Sequence, residues 1–363
     1  MTKDFMVKET ELDDLQMQLL NSVLDKSIVV SGCAGSGKSV IALQKARRVQ
    51  NENKGSCEII VYTKALRNFM NSGRSQLGLN CDFYYYWQWK NKSHMPKADY
   101  VIVDEIQDFT QSEIQEFLDA ANKHVFFFGD TAQSIYGGLK NICSVQTMQS
   151  MVAQKGVYKD FLLYNNYRLP KPVAQITQDY IGIGVKPYGN GNVYKSKENK
   201  KPKILYYDSL EEQLKAVVRM IENRNLTDVG ILVRHNEDIP MVVKLLKTAN
   251  DSDIAANNAK RIQFEVKYTN TDNYQRSVEN LDFNTDNPKV MTYHSAKGLQ
   301  FETVFLPDIV DPVNIDWQKA LYVAMTRTYR NLYMMYSGEM PNILANIPDD
   351  LYEKTEIDEI DDK

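Results

Sequence analysis

The segment Gly32-Cys33-Ala34-Gly35-Ser36-Gly37-Lys38-Ser39 limits what this chain can fold into more than any other. It fits G-x-x-x-x-G-K-[ST], follows the apolar run Ser27-Ile28-Val29-Val30, and opens a helical pattern through Val40, Ile41, Leu43 and Ala46. A strand, a tight glycine-rich turn and a helix are expected in that order. Glycines at Gly32, Gly35 and Gly37, with Ser36 between them, let backbone N–H groups turn inward around phosphate oxygens. The new helix points its positive end at the same place. Lys38 is placed to reach the β- and γ-phosphates of a nucleoside triphosphate, and Ser39 to hold Mg²⁺.

A second buried-strand run, Tyr100-Val101-Ile102-Val103, ends in Asp104-Glu105, and a third, Val125-Phe126-Phe127-Phe128, ends in Gly129-Asp130 and soon reaches Gln133. Strand ends of a parallel sheet are where ligand-facing acids belong. Asp104 is then the expected outer ligand of Mg²⁺, and Glu105 the group that orients and deprotonates the attacking water. Short β-branched runs alternate with helical patterns along the whole chain, which predicts parallel sheets covered by helices on both faces. Strands are expected near 27–31, 58–62, 100–104, 124–129, 160–164, 203–207, 229–233, 289–293, 303–306 and 331–336.

These pieces are joined downstream by Asn166-Tyr167-Arg168, His294-Ser295-Ala296-Lys297-Gly298-Leu299-Gln300-Phe301-Glu302 and Val323-Ala324-Met325-Thr326-Arg327. In that order the motifs resemble those of the UvrD/Rep-like branch of the superfamily 1 helicases, over nearly the whole chain. The resemblance implies two tandem RecA-like P-loop NTPase domains, an α/β fold that binds ATP and Mg²⁺ and handles single-stranded nucleic acid. It implies that Gln16 and Tyr167 meet adenine, that Gln133 senses the γ-phosphate, that Gly298 and Glu302 lie on the nucleotide, and that Arg168 and Arg327 are arginine fingers. Arginine suits that last role because its fixed fork matches the charge spread over a transferring phosphoryl group.

Domain limits are expected at 1–160 and 161–345, with a small insertion about 236–288. An acidic tail, 346–363, reads as a solvated, disordered end or an interaction tail, since from Asp349 onward it carries eight acids and two lysines. Only eleven residues separate Trp89 from Val101, leaving little room for the large insertions that UvrD/Rep-like enzymes carry.

A net charge of −4 argues against a broadly basic coat, so any nucleic-acid contact must be local. Tyr62, Thr63 and Lys64 after one strand, Tyr136, and His294 with Ser295 are the candidates that the resemblance implies. Tyr84, Tyr85, Tyr86, Trp87 and Trp89 form the densest aromatic run, about half of it expected in the core. Four cysteines with no C-x-x-C pair suggest reduced thiols in a cytoplasmic protein, and no apolar stretch approaches membrane-spanning length. The expected activity is ATP-driven translocation on single-stranded DNA, 3′-to-5′ by the resemblance, with RNA left open as substrate. The alternative is an ATP-driven switch or loader acting on a protein partner such as a nuclease or defence effector. Oligomeric state is not legible.

Overall fold

Apolar runs and strands coincide in the computed structural model, which describes residues 6–92, 95–130, 141–181, 195–257, 259–270 and 272–354. The described residues divide into two compact units, the first running to Tyr167 and the second starting at Arg168. Each is an α/β unit built on its own largely parallel sheet.

The first unit contains β1 Ser27–Gly32, β2 Cys57–Val61, β3 Asp82–Tyr85, β4 Ala98–Val103, β5 Ala121–Gly129 and β6 Tyr158–Leu163. Their order across the sheet is β3-β2-β4-β5-β1-β6, and every pairing is parallel. Val101, Ile102 and Val103 on β4 and Phe126, Phe127 and Phe128 on β5 are wholly buried, as strands covered on both faces must be. The helix Lys38–Asn51 contributes Ile41, Leu43, Ala46 and Val49 to the interior. One consequence of the strand order matters most for function: β4, β5 and β1 are neighbours, so the three segments that follow them emerge side by side.

The aromatic run splits by local geometry. Tyr84 and Tyr86 are buried, Trp89 is completely so, and Trp87 on the other side of the short helix Tyr86–Lys90 is 57% exposed. Tyr86, Phe109 and Phe117 meet edge-on, with Phe109 and Phe117 centroids 4.9 Å apart and Tyr86 to Phe109 at 5.2 Å. The indole N–H of Trp89 donates to Oε1 of buried Glu58 at 3.2 Å.

The second unit contains β7 Lys203–Tyr206, β8 Val229–Val233, β9 Glu265–Tyr268, β10 Val278–Glu279, β11 Lys289–Thr292, β12 Phe301–Leu306, β13 Thr328–Tyr336 and β14 Glu353–Lys354. Their order is β10-β9-β11-β8-β12-β13-β7-β14, parallel throughout except where β10 runs against β9. Leu214, Val217, Ile231, Val290 and Phe305 belong to its core, and the helix Ile239–Asn257 adds Val242, Leu246 and Ala249.

Three expectations about organisation are corrected. The first unit extends past 160, because β6 adds alongside β1 in register from Ser27↔Tyr158 to Gly32↔Leu163 before the chain leaves the sheet. Residues 239–257 are not insertion but a core helix, so the irregular stretch begins only after it, and even there β9 pairs with β11. Residues 346–354 are not a solvated end: Leu351 and Tyr352 are buried and β14 pairs with β7. Residues 355–363 lie outside the described residues.

Candidate functional site

The phosphate-loop segment leaves β1 at Gly32 and enters its helix at Lys38. Gly35 has φ +75° and Gly37 φ +86°, left-handed values that side-chain-bearing residues adopt at a cost. Gly37 is doubly constrained, since a Cβ there would stand 2.6 Å from Nε2 of Gln16. Lys38 is buried, and its ammonium donates to the carbonyls of Gly32 at 3.0 Å and Cys33 at 2.9 Å. The cation is thus curled back over the loop, held by acceptors that a phosphate could replace.

Ser39 Oγ donates to Asp104 Oδ2 at 2.5 Å, and the other carboxylate oxygen of Asp104 accepts from the backbone N–H of Glu105 at 3.0 Å. Burial, then the charge of neighbouring Glu105, pushes the Asp104 carboxyl up to about 6. A hydroxyl and a carboxylate already in contact, beside a second carboxylate, are hard oxygen donors of the kind Mg²⁺ takes, with its remaining positions filled by water or phosphate. Among the described residues no group of three or more His, Cys, Asp or Glu side chains is arranged to hold a metal, and a phosphate-bridged Mg²⁺ needs none. These residues therefore fit that ion.

Glu105 is held at φ +59°, in the left-handed region although it is not glycine, and it is buried. Its Oε2 accepts from Nε2 of Gln107, whose Oε1 in turn accepts from the backbone N–H of Asp130 at 2.9 Å. One glutamine amide thereby ties the end of β4 to the end of β5. Gly129 makes room for it, since a Cβ there would lie 2.6 Å from Gln107 Oε1. The sequence alone gives Gln107 no part, since its partners lie at the ends of two different strands.

Asp13 is the second residue that sequence reasoning passed over. It caps the helix Asp14–Asn21 by accepting from Gln16 N at 2.7 Å, while Gln16 Oε1 accepts from Asp13 N at 3.0 Å. The remaining amide of Gln16 donates to Ser36 O at 2.9 Å, so this cap is fastened to the phosphate loop. Asp13 Oδ2 also accepts from Asn165 at 2.8 Å and from the Tyr167 hydroxyl. Burial raises the Asp13 carboxyl, but the bonds from Tyr167, Gln16 and Asn165 outweigh it and hold it below its ordinary value. Tyr167 N donates to Gly35 O at 3.0 Å, completing a ring of contacts around the loop. The signal that was available is the D-x-x-Q capping pattern Asp13-Asp14-Leu15-Gln16.

In the second unit, Arg168 donates through Nη2 to Thr326 O at 2.7 Å, and Arg327 donates through Nη2 to Thr326 Oγ1 at 2.9 Å. Arg327 is almost fully buried, with Nε on Val323 O at 2.8 Å and Nη1 on Leu299 O at 3.4 Å. Residues 159 positions apart in sequence therefore share one threonine. Gly298 has φ +79° in the turn after β11. Glu302 accepts from Arg330 Nη1 at 2.7 Å on the surface of β12.

The expected strand contacts are spread out. Tyr62 stands half-buried and edge-on to Phe109 at 5.2 Å, and Thr63 Oγ1 caps the helix Lys64–Gln76 by accepting from Leu66 N at 3.1 Å. Lys64 is exposed beside them. In the second unit His294 and Ser295 are half-exposed beyond β11. Gln133 and Tyr136 lie outside the described residues.

Residues 28–220 match the family model for the viral superfamily 1 RNA helicase core domain, and residues 289–335 match that for the UvrD-like helicase C-terminal domain. A probable DNA helicase of Mycoplasma pneumoniae is 23% identical over 252 residues, spanning 65% of this chain and 43% of that protein. A probable DNA helicase II homologue of Mycoplasma genitalium is 26% identical over 168 residues, spanning 41% of this chain and 23% of its own. The chain thus spans less than half the length of these curated relatives. Among solved structures, an arterivirus nonstructural protein 10 helicase aligns with 14% identity and a TM-score of 0.46, over 89% of this chain and 61% of that one. No helix among the described residues is long and apolar enough to cross a membrane.

Proposed function

This chain belongs to the superfamily 1 helicases, a family of nucleotide-hydrolysing enzymes, and on that footing we propose that it is an ATP-driven motor on single-stranded DNA moving 3′-to-5′. The observation that carries the proposal is the connected chain Ser39, Asp104, Glu105, Gln107 and Asp130 beneath the phosphate loop, spread over the ends of three neighbouring strands. The 3′-to-5′ direction rests on the resemblance of the segment from His294 to Glu302 to the UvrD/Rep pattern, a segment that lies within the UvrD-like match over 289–335.

In this reading Lys38 leaves the Gly32 and Cys33 carbonyls and turns to the β- and γ-phosphates, cradled by the N–H groups of Gly35, Ser36 and Gly37. Ser39 and Asp104 would hold Mg²⁺, which when bound would supply charge neutralisation to the phosphates. Glu105, kept in place by Gln107, takes the proton of the attacking water, and Gln133 monitors the γ-phosphate. Gln16 and Tyr167 bound the adenine side, Glu302 lies near the ribose, and Gly298 also contacts the nucleotide. Arg168 and Arg327, coupled through Thr326, stabilise the charge that develops as the phosphoryl group transfers. Tyr62, Thr63, Lys64, Tyr136, His294 and Ser295 contact the strand.

The test is steady-state ATP hydrolysis with and without single-stranded DNA or matched RNA, with Lys38→Ala as the blank. Stimulation of about tenfold, or about 1.4 kcal/mol off the barrier, is expected with DNA. A rate abolished in Lys38→Ala yet indifferent to either nucleic acid would overturn the motor and leave an ATP-driven switch answering to a protein partner.

A further inference from the structure

Three segments of the second unit converge on a tryptophan that sequence reasoning left unused. β11 and β8 are adjacent and parallel, with Thr292 opposite Val233, and Tyr293 N continues the ladder to Val233 O at 2.9 Å. Two residues past that pair, on each strand, stands a histidine: His294 and His235. β12 flanks β8 on its other side and leads through 307–314 into the helix Ile315–Met325. Asn314 caps this helix by accepting from Trp317 N at 3.0 Å, which fixes the tryptophan in its first turn.

The Trp317 indole lies 4.6 Å from the His235 ring at 68° and 5.5 Å from the His294 ring at 88°. Both imidazoles therefore meet it edge-on, an arrangement that holds a flat ring in one orientation. All three side chains are half-exposed, and the approach to the helix is openly apolar, with Val313 79% and Ile315 47% exposed. Arg234 and Lys319, also half-exposed, put cations on the same segments. The location, outside the carboxyl ends of parallel strands, is where such sheets take ligands.

We propose that Trp317, braced by His235 and His294, is a stacking platform for one base of a bound single strand. The inference rests on the motor reading above and adds to it a residue and a contact. An aromatic face serves any base, and stacking cannot sense a 2′-hydroxyl, so DNA and RNA are gripped alike at this position.

The experiment measures binding of fluorescein-labelled oligothymidylate and oligouridylate of about 16 nucleotides, by anisotropy, to the wild-type chain, Trp317→Ala and Trp317→Phe. Trp317→Ala is expected to weaken both oligonucleotides by roughly tenfold, and Trp317→Phe to keep most of the affinity. Unchanged binding by a folded Trp317→Ala overturns the platform and leaves the motor standing. A wild-type chain that binds neither strand overturns both. Should circular dichroism show that Trp317→Ala does not fold, photo-crosslinking of 5-bromouracil oligonucleotides to the wild-type chain decides instead. Attachment to the peptide carrying Trp317 supports the platform, and attachment confined to other peptides overturns it.

Discussion

Glu58→Gln is expected to stabilise the protein, and to do so increasingly as the pH rises. Glu58 sits on β2, 2% exposed, opposite Val101 on one side and Asp82 on the other. Burial pushes its carboxyl from 4.5 up to about 7; the Trp89 bond and the charge of Lys92 oppose this, while Asp82 adds to it. A carboxyl raised in this way binds its proton more tightly in the folded state than in the unfolded one. Its contribution to stability is therefore present at low pH and lost as the pH climbs from about 4.5 to about 7. At about 1.4 kcal/mol for each tenfold change, the loss is about 3 kcal/mol by pH 8 and about 1 kcal/mol at pH 5. The glutamine amide keeps an oxygen for the Trp89 indole N–H and never ionises, so it escapes the loss. For a unit of this size the gain corresponds to a rise in Tm of about 6–12 °C at pH 8, shrinking to about 2–4 °C at pH 5. Calorimetry of wild type and variant at both pH values checks it. Equal melting temperatures at pH 8, or a difference that does not grow with pH, would refute the reasoning.

The proposed nucleotide site offers three further tests. Glu105→Gln should bind ATP normally, by equilibrium titration with a fluorescent analogue, yet lose at least about a hundredfold in kcat; normal turnover would remove Glu105 as the general base. Gly37→Ala must hold a Cβ at φ +86° and 2.6 Å from Gln16 Nε2, so it should cost roughly 1–2 kcal/mol in urea unfolding and weaken ATP binding. Thr326→Val removes the hydroxyl that accepts from Arg327 while keeping the carbonyl that accepts from Arg168. It is expected to lower kcat by about tenfold with little change in KM, and an unaltered kcat would show that the threonine does not position Arg327.

Every strand expected from the sequence is present, with ends displaced by no more than about three residues, because each is an apolar run bounded by a polar break. What escaped was pairing decided by neighbours. β3 was hidden because Asp82-Phe83-Tyr84-Tyr85 runs directly into the aromatic helix Tyr86–Lys90, so its alternation is too short to register. β10 and β14 have two residues each, and only their partners β9 and β7 define them. The site divides along the same line. Lys38 and Ser39 were legible from the glycine-rich motif that opens their helix, and Asp104 and Glu105 from the apolar strand that runs into them. Asp13, Gln107 and Thr326 were not, because their importance lies in bonds to segments remote in the chain. Trp317 carries no signal in the sequence, because the histidines set against it come from two strand ends remote in the chain.

The left-handed backbone of Glu105 sets this chain at odds with itself. A side-chain-bearing residue at φ +59° forgoes on the order of 1 kcal/mol that glycine or asparagine would recover. A library of variants sorted only for thermal resistance should therefore enrich Glu105→Gly and Glu105→Asn, while the same library sorted for ATP turnover should purge them. The divergence of the two selections at a single codon would separate what folding prefers from what chemistry demands.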